Sequence, residues 1–268
     1  MNEQYDVIVV GAGASGIPAA VAATRQGASV LLLEEDLQPG GACVDEYVCM
    51  NNSIHAQRGG VYGDIMAALM KNYYKPLSTD EKPWLQWFFP ADYQSVILSL
   101  IDAERSLDLQ CGITWCRPIV NGGTVEGVVV KDENEDERCI SGRVVVDATG
   151  TAEIAAQAGA KTVFGRESRD EYNEAPAPEV ADDKVQQCTW QYISQKLPGR
   201  DGARMKGVEA RPEDSGYGWL SEEGDEEGWA RDAGAYLHWG CRVRCEDVRN
   251  EAALADAQQE ALRKMRSD

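Results

Sequence analysis

The first 36 residues alternate between two short apolar runs and a segment of small residues. Residues 5–11, YDVIVVG, form a β-branched run that is typical of a strand buried on both faces. Residues 11–27, GAGASGIPAAVAATRQG, have alanines at helical spacing and end in a glycine suited to a helix C-terminus. Residues 28–36, ASVLLLEED, contain the second apolar run. The pattern predicts a strand–helix–strand unit, which in proteins is right-handed and joins parallel strands.

The same kind of pattern predicts further elements as far as residue 160. Residues 61–75 and 91–107 are predicted to be helices, the second because its apolar residues recur at spacings of three and four. Residues 119–147 are predicted to form hairpin strands around a diglycine and an acidic loop, followed by one more buried strand. A short helix is expected to begin within residues 151–160.

The pattern weakens beyond residue 165. Residues 185–197 alternate between apolar and polar side chains, as in a strand. Residues 199–234 are rich in Gly, Asp and Glu, and we predict no element there. Residues 251–268 have the apolar periodicity of a helix. The strongest predictions therefore concern the first 160 residues.

The composition excludes several classes of function. The 268 residues carry 26 Lys and Arg against 45 Asp and Glu, which gives a formal net charge of −19. Such a chain lacks the basic surface with which proteins bind nucleic acid or anionic lipid. No apolar run approaches the roughly 18 residues that a membrane span needs, and the N-terminus has no basic region of a signal peptide. We therefore expect a cytoplasmic protein whose eight cysteines are reduced.

Three glycines with the spacing GxGxxG lie directly after the first strand. In this turn Gly11 permits the tight bend, Gly13 lets a pyrophosphate approach the backbone, and Gly16 lets helix and strand pack closely. The following helix offers unpaired N–H groups at its N-terminus. Glu34 lies at the end of the second strand, where a carboxylate accepts hydrogen bonds from a ribose diol. The combination predicts a dinucleotide-binding site.

Two further segments narrow the choice of cofactor. Gly40–Gly41 follows the second strand, and residues 144–153 read VVVDATGTAE. Together with the glycine turn, Glu34 and residues 88–94, FFPADYQ, they make roughly residues 4–170 similar to a known family. The sequence resembles the FAD-dependent oxidoreductases of the glutathione-reductase-like fold, in particular the fumarate-reductase and dehydrogenase-type flavoproteins.

The resemblance implies an α/β fold with a Rossmann-like FAD/NAD(P)-binding domain, a parallel sheet and a β-meander. Residues 1–60 and 91–165 are expected to form this discontinuous FAD-binding domain. Residues 61–90 and 166–268 are expected to form a substrate or cap region, which would be incomplete.

The resemblance also implies which residues bind FAD. In the family, the diglycine loop passes beside the flavin and the pyrophosphate, and the ATG segment closes over the adenine-diphosphate side. The predicted cofactor-binding residues are Gly11, Gly13, Ser15, Gly16, Glu34, Glu35, Gly40, Gly41, Ala148, Thr149 and Gly150. No metal ligand is predicted. The implied reaction is hydride transfer between a small organic substrate and flavin N5, with the cofactor supplying the chemistry.

Candidates for the catalytic residues are few. His238 lies in the aromatic segment YLHWG and is a candidate for a catalytic or substrate-orienting group. Arg58, directly before Gly59–Gly60, is a candidate for binding a substrate carboxylate. A core or surface histidine and a solvated arginine are the simpler interpretations of these two residues.

Cys43 and Cys49 leave a second function open, that of a flavin-linked thiol/disulfide oxidoreductase. Flavoprotein disulfide reductases, which place a redox disulfide against the flavin, have four residues between the cysteines, whereas here there are five. One extra residue on a helix turns the second thiol by about 100°. The chain also lacks a second GxGxxG for NADPH. Two packed free thiols are the alternative.

One segment that the resemblance implies is not found. Family members return near the C-terminus to the FAD domain with a glycine-aspartate motif, and no segment after residue 170 has it in a matching context. Three interpretations stay open: a partner chain completes the FAD site, the chain is a degenerate, non-catalytic nucleotide-binding subunit, or the cofactor is NAD.

Overall fold

The computed structural model places most of the chain in two compact units. It describes residues 3–49, 59–73, 88–132, 134, 136–186, 188–189, 191–195, 217–219, 235–238, 242–243, 245 and 250–265. The described residues up to Ala160 belong to the first unit, and those from Lys161 onward belong to the second. Among the described residues, no helix has both the length and the apolar character needed to cross a membrane.

The first unit is built on a six-stranded sheet. Its strands are β1 (Glu3–Val10), β2 (Val30–Leu33), β3 (Leu107–Gln110), β4 (Trp115–Asn121), β5 (Thr124–Lys131) and β6 (Glu137–Asp147), in the spatial order β3-β2-β1-β6-β5-β4. β3, β2, β1 and β6 pair in parallel, whereas β5 runs antiparallel to both β4 and β6. The predicted α/β fold, with a parallel sheet and a β-meander, is confirmed.

Strand β6 has a different partner in each half. Residues 137–141 pair antiparallel with β5, and residues 140–147 pair in parallel with β1. One continuous strand therefore joins the meander to the parallel sheet. Its last pair, Val10 with Asp147, brings the segment after β6 beside the glycine turn after β1.

The helices of the first unit are α1 (Gly16–Arg25), α2 (Gly60–Asn72), α3 (Pro90–Asp102) and α4 (Glu153–Gln157). α1 packs against β1, β2, α2 and α3. Arg25 at the end of α1 links the three long helices, because its guanidinium donates to Asp64 on α2 at 2.6 Å and to Glu104, just after α3, at 2.8 Å. This helical layer covers one face of the parallel strands.

Burial of β2 follows the predicted pattern, whereas the predicted burial of β6 is wrong, because only Ile140 and Gly142 of this strand are buried and Val144 is 52% exposed. All four residues of β2 are buried, as expected of a parallel strand that is covered on both faces. Alternate residues of neighbouring strands contribute to one core cluster, since side chains along a strand point to opposite faces. The buried members of this cluster are Ile8, Val10, Leu31, Leu33, Ile113, Val128, Val130, Ile140 and Ile154.

One strand of the sheet was not predicted. The predicted helix over residues 91–107 ends at Asp102, and Leu107–Gln110 forms β3 instead. β3 is only four residues long, and Leu107 is its one buried residue, so its apolar pattern is too short to indicate a strand. Its pairing with β2 is a tertiary interaction that the local sequence does not show.

The second unit contains short strands and two helices. Its elements are α5 (Arg169–Tyr172), β7 (Cys188–Thr189), β8 (Tyr192–Gln195), β9 (Tyr217–Trp219), β10 (Ala235–His238), β11 (Arg242–Val243) and α6 (Glu251–Met265). β8, β10 and β9 form one sheet, and β11 pairs with β7. The single strand predicted over residues 185–197 is wrong, because β7 and β8 pair with different partners. β9 lies where no element was predicted.

Helix α6 confirms the predicted C-terminal helix. The side-chain oxygen of Asn250 accepts hydrogen bonds from the N–H groups of Ala252 and Ala253, at 3.0 and 3.1 Å, and so caps its N-terminus. Ala257 and Ala261 are buried, and the helix packs against β11.

The two units do not coincide with the predicted boundaries of the FAD-binding domain. Helix α2, which the prediction placed in the substrate or cap region, packs against α1 and α3 in the first unit. A substrate-binding role for residues 61–90 and 166–268 stays a prediction.

Candidate functional site

The carboxyl ends of β1, β2 and β6 bring three turns together. The N–H of Gly11 donates to the carbonyl of Leu33 at 2.8 Å, and the N–H of Ala148 donates to the carbonyl of Val10 at 2.9 Å. The turn after β1 therefore lies between the end of β2 and the segment after β6. This edge is where ligands bind to open α/β sheets.

Gly11 and Gly16 are glycines because the backbone around them is closely packed. Gly11 has a φ of +98°, and a Cβ on it would lie 2.6 Å from the carbonyl oxygen of Ala148. A Cβ on Gly16 would overlap the carbonyl oxygen of Gly11 and lie 3.2 Å from the Cβ of Ala148. These two glycines, together with Ala148, let the turn, the helix and the neighbouring strand end approach one another.

Gly13 has a different environment. The nearest atom to a Cβ on Gly13 would be the Cα of Gly41, at 3.9 Å. Among the described residues, none accepts a hydrogen bond from the N–H groups of Gly13, Ala14 or Ser15. Ser15 is exposed, and its hydroxyl makes no capping hydrogen bond to α1. The turn that leads into α1 thus presents free N–H donors beside an open space, an arrangement that binds anions.

The diglycine segment lies directly on this turn. The N–H of Gly40 donates to the carbonyl of Ala12 at 2.9 Å, and a Cβ on Gly41 would lie 3.0 Å from the Cα of Gly13. Gly40 and Gly41 have φ values of +139° and +51°, which favour glycine. The two glycine segments therefore pack backbone against backbone, with no side chain between them.

Glu34 lies beside the glycine turn, as its position at the end of β2 predicted. Its side chain is buried, with 6% of the residue exposed. One carboxylate oxygen accepts from the N–H of Ala12 at 2.7 Å, and the other accepts from the N–H of Asp36 at 3.1 Å. Because a carboxylate offers about four acceptor positions, two stay available for a ligand hydroxyl.

Glu35, the next residue, points to solvent and is surrounded by negative charge. Partial desolvation raises the pKa of the Glu35 carboxyl, and repulsion from Glu34 and Asp36 raises it further. Glu153, at the start of α4, adds to the repulsion. The edge of the site that holds Glu34 is therefore strongly acidic.

The segment after β6 is held by Asp147, a residue that the sequence analysis did not include in the site. One carboxylate oxygen of Asp147 accepts from the N–H and the hydroxyl of Thr149, at 3.0 and 2.7 Å, and the other accepts from the N–H of Ala155 at 2.7 Å. The Thr149 oxygen in turn accepts from the N–H of Glu153 at 3.1 Å. An aspartate at a strand end just before a helix was the available signal.

The predicted residues of this segment thus differ in what they contribute. The Thr149 hydroxyl is occupied in fixing the turn, and Ala148 packs against the glycine turn. A Cβ on Gly150 would meet no atom within 4 Å. Of the three, Gly150 is the residue beside open space.

Of the three catalytic candidates, the described part of the chain places Cys43 at this site. Arg58 and the side chain of His238 lie outside the described residues, and the backbone of His238 belongs to β10 in the second unit. Cys43 closes the short 3-10 turn Gly41–Cys43 that follows the diglycine. Cys43 is half-buried, Cys49 is fully buried, and both are free thiols.

The environment of these cysteines disfavours disulfide exchange. Burial raises the pKa of the Cys43 thiol, and raises that of the Cys49 thiol to about 12. The thiolate is the form that attacks a disulfide, and both sites stabilise the neutral thiol.

Timed alkylation checks this property. At pH 8 we expect iodoacetamide to modify the exposed Cys139 at least about 100-fold faster than Cys49, because a buried thiol of raised pKa presents little thiolate. Peptide mass spectrometry of samples quenched at intervals gives both rates, and unfolding in guanidinium should equalise them. Recovery of a Cys43–Cys49 disulfide, or equal rates in the folded protein, would contradict the expectation.

The parallel sheet, the GxGxxG turn and the acid at the end of β2 define a Rossmann-like α/β protein. A family model described as FAD dependent oxidoreductase matches residues 6–266. The chain belongs to the FAD dependent oxidoreductase family. The match confirms the resemblance drawn from the glycine turn, the diglycine and the ATG segment, and with it FAD as the expected cofactor.

Individual relatives match parts of the chain. A vinyl phenol reductase of Lactiplantibacillus plantarum is 51% identical over 41 residues, which are 15% of this chain and 8% of that protein. The tRNA uridine 5-carboxymethylaminomethyl modification enzyme MnmG of Treponema denticola is 32% identical over 161 residues, which are 55% of this chain and 26% of that protein. The chain thus spans about a quarter or less of the length of these curated relatives.

Solved structures show the same kind of partial likeness. The myxobacterial chondrochloren halogenase CndH, a variant of FAD-dependent halogenases, has a TM-score of 0.47 and is 18% identical, with 62% of this chain and 41% of that chain covered. The THI4 protein of Thermovibrio ammonificans has a TM-score of 0.43 and is 20% identical, with 66% of this chain and 76% of that chain covered. The family assignment rests on the family match.

Proposed function

We propose that the carboxyl-edge site binds the adenosine diphosphate part of FAD and serves an oxidoreductase that transfers a hydride between a small organic substrate and flavin N5. The observation that carries the proposal is the pair of stacked glycine segments. Gly13 and Gly41 approach without side chains, next to the free N–H groups at the start of α1. A pyrophosphate needs both that close approach and those donors.

Glu34 would bind the adenosine ribose. Its carboxylate is oriented by the N–H groups of Ala12 and Asp36 and keeps two acceptor positions for a ribose diol. Since Ala12 belongs to the glycine turn, the same hydrogen bond fixes the ribose acid relative to the pyrophosphate donors. The acidic surroundings of Glu35 support a ligand whose ribose carries no phosphate.

The segment after β6 would close the site from the other side. Asp147 and Thr149 would hold the turn rigid from within, and Gly150 would leave room for the ligand. Ala148 would act through packing against Gly11 and Gly16. Ser15 would contribute its backbone N–H at the start of α1.

Bound FAD would supply the hydride chemistry. The described residues would bind and orient the cofactor, whereas the groups that contact the substrate are proposed among His238, Arg58 and Cys43. The raised pKa of Cys43 makes it a neutral hydrogen-bonding group rather than a nucleophile. We therefore favour hydride transfer over thiol/disulfide exchange.

The proposal is confined to this chain, because no comparison supports the partner chain that the sequence left open. It includes a cytoplasmic location, which the free state of the seven described cysteines supports. A degenerate subunit that binds nucleotide without catalysis and a chain that binds NAD are the alternatives.

Titration with FAD, NAD and ADP tests the binding step. We expect FAD to bind, with quenching of its fluorescence and a change in its visible absorption, and ADP to compete. If NAD bound and FAD did not, the proposed cofactor would be wrong. Binding of FAD without reduction by any tested donor would favour the degenerate subunit.

Glu34→Gln sharpens the test. The amide keeps the size of the side chain but places an N–H₂ group against a backbone N–H, so we expect FAD affinity to fall about 10-fold, or about 1.4 kcal/mol. Asp36→Asn is the matched control, since it removes the same charge from an exposed residue two positions away. Equal effects of the two substitutions on the dissociation constant would argue for general electrostatics and against a ribose contact.

A further inference from the structure

The diglycine segment is attached to the first two turns of helix α3 at several points along its length. The diglycine segment comprises Gln38–Cys49: it begins two residues before Gly40 and ends at the buried Cys49. It has little regular structure of its own beyond the 3-10 turn Gly41–Cys43. Its position therefore depends on what it is packed against.

Hydrogen bonds between three side chains join α3 to the residues before and after the two glycines. The amide nitrogen of Gln94 donates to the side-chain oxygen of Gln38 at 2.7 Å. The amide nitrogen of Gln38 donates to the carboxylate of Asp45 at 3.0 Å. Gln38 precedes the two glycines and Asp45 follows them. These two hydrogen bonds, here called the relay, therefore connect the residues on either side of the glycines with each other and with α3.

Apolar contacts support the centre of the segment. The Cδ1 methyl of Ile97, one turn after Gln94, lies 3.6 Å from the position of a Cβ on Gly40, and the side chain of Val44 fills that position. Gly40 is buried, and its N–H donates to the carbonyl of Ala12 in the glycine turn. Side chains of α3 and of the segment therefore pack around the glycine that is bonded to the glycine turn.

The far end of the segment is held by Phe88, which lies two residues before α3 and stacks on an aromatic residue of its first turn. Tyr93 is 4% exposed and stacks on Phe88, with ring centroids 5.0 Å apart. The N–H of Phe88 donates to the carbonyl of Cys49 at 3.1 Å. The segment is thus fastened before, at and after its glycines.

We propose that the first two turns of α3 hold the diglycine segment in the conformation that receives the pyrophosphate, with Gln94 as a positioning residue that acts through Gln38 and Asp45. The inference rests on the proposed function of the site. Gly40 and Gly41 are the residues with the most backbone freedom to lose on binding. If their backbone already has the bound conformation before FAD arrives, less conformational entropy is lost on binding.

Hydrogen exchange of the ligand-free protein tests the positioning independently of FAD. In Gln94→Ala we expect the amides of Gly40, Val44 and Asp45 to exchange about 10-fold faster, while amides in the middle of α3 keep their rates. Ser99→Ala is the matched control, since it removes a side-chain hydrogen bond from the same helix without touching the segment. Unchanged exchange at Gly40 in Gln94→Ala overturns the inference.

A double-mutant cycle tests the relay. Gln94 and Asp45 are joined only through Gln38 in the relay, so we expect Asp45→Ala and Gln94→Ala each to weaken FAD binding about 5-fold and the double variant to be little weaker than either. If the double variant lost FAD affinity by the product of the two single effects, the role assigned to Gln94 would be overturned. The same holds if Gln94→Ala exchanged its amides faster but bound FAD as tightly as the wild type. A wild-type protein that binds no FAD overturns the proposed function, whereas the exchange experiment alone decides whether α3 positions the segment.

Discussion

Replacing Gly13 by valine should abolish FAD binding and leave the protein folded. A Cβ on Gly13 would meet only the Cα of Gly41, at 3.9 Å, which is an ordinary van der Waals distance. The methyl groups of valine would then project from the turn into the space beside the free N–H groups of α1, where we place the pyrophosphate. We expect FAD affinity to fall at least about 100-fold, or about 2.8 kcal/mol.

Two measurements are needed to support this result. Fluorescence titration gives the dissociation constant of FAD, and far-UV circular dichroism during thermal unfolding gives the stability, which should change by less than about 1 kcal/mol. Ala22→Val is the control, because it places the same β-branched side chain at an exposed position of α1 away from the turn. If the Gly13 variant bound FAD as the wild type does, the pyrophosphate would have to lie elsewhere.

Replacing Gly16 by alanine should lower the stability of the fold itself. This differs from the Gly13 variant, which should lose FAD binding and stay folded. A Cβ on Gly16 would overlap the carbonyl oxygen of Gly11 and press on Ala148. The overlapped atom belongs to the backbone, so no side-chain rotation relieves it, and the turn or the helix must move. We expect a loss of about 3 kcal/mol in the free energy of unfolding, at the upper end for an overpacked site.

Urea denaturation of the ligand-free protein measures this loss. Gly59→Ala serves as the control, since Gly59 has an extended backbone with a φ of −122° and no atom within 4 Å of an added Cβ. Because Gly59 is the N-cap of α2, where glycine is preferred to alanine, this substitution should cost about 1 kcal/mol, clearly less than the loss expected for Gly16→Ala. Wild-type stability in the Gly16 variant would mean that the carbonyl of Gly11 does not lie against Gly16 as the structure has it.

The pair of substitutions separates two functions that a glycine motif combines. Gly16 is required by the fold and Gly13 by the ligand, although both belong to the same GxGxxG. The spacing alone suggested this division, and the surroundings of each Cα supply the distances that make it quantitative.

Much of the first unit was predictable because its elements carry strong local patterns. Two β-branched or leucine runs around a glycine turn predict β1, α1 and β2, and the last three residues of β1 and all of β2 are buried. Because these runs bury continuous apolar surface, their sequence reflects their environment. The last strand of the meander ends at Asp147, as predicted, but it is not buried along its length.

Other features have no local signal. β3 pairs with β2 at the edge of the sheet, and its four residues of mixed polarity do not indicate that pairing. Asp147 was known as the last residue of a strand, but its bonds to Thr149 and Ala155 depend on how the chain turns after it. The relay from Gln94 to Asp45 joins residues 49 positions apart through a third side chain.

The fold class, the family and the glycine turn were all predictable from the sequence, since they depend on periodicity and on glycines at fixed spacing. The carboxylate at the end of β2 was predictable as well. By contrast, the packing of Gly41 on Gly13, the hydrogen bond from Ala12 to Glu34 and the contact between α3 and the diglycine segment are seen only in the folded chain. Each of these contacts joins segments separated by more than 20 residues, and the position of one segment constrains the other only after the sheet has formed.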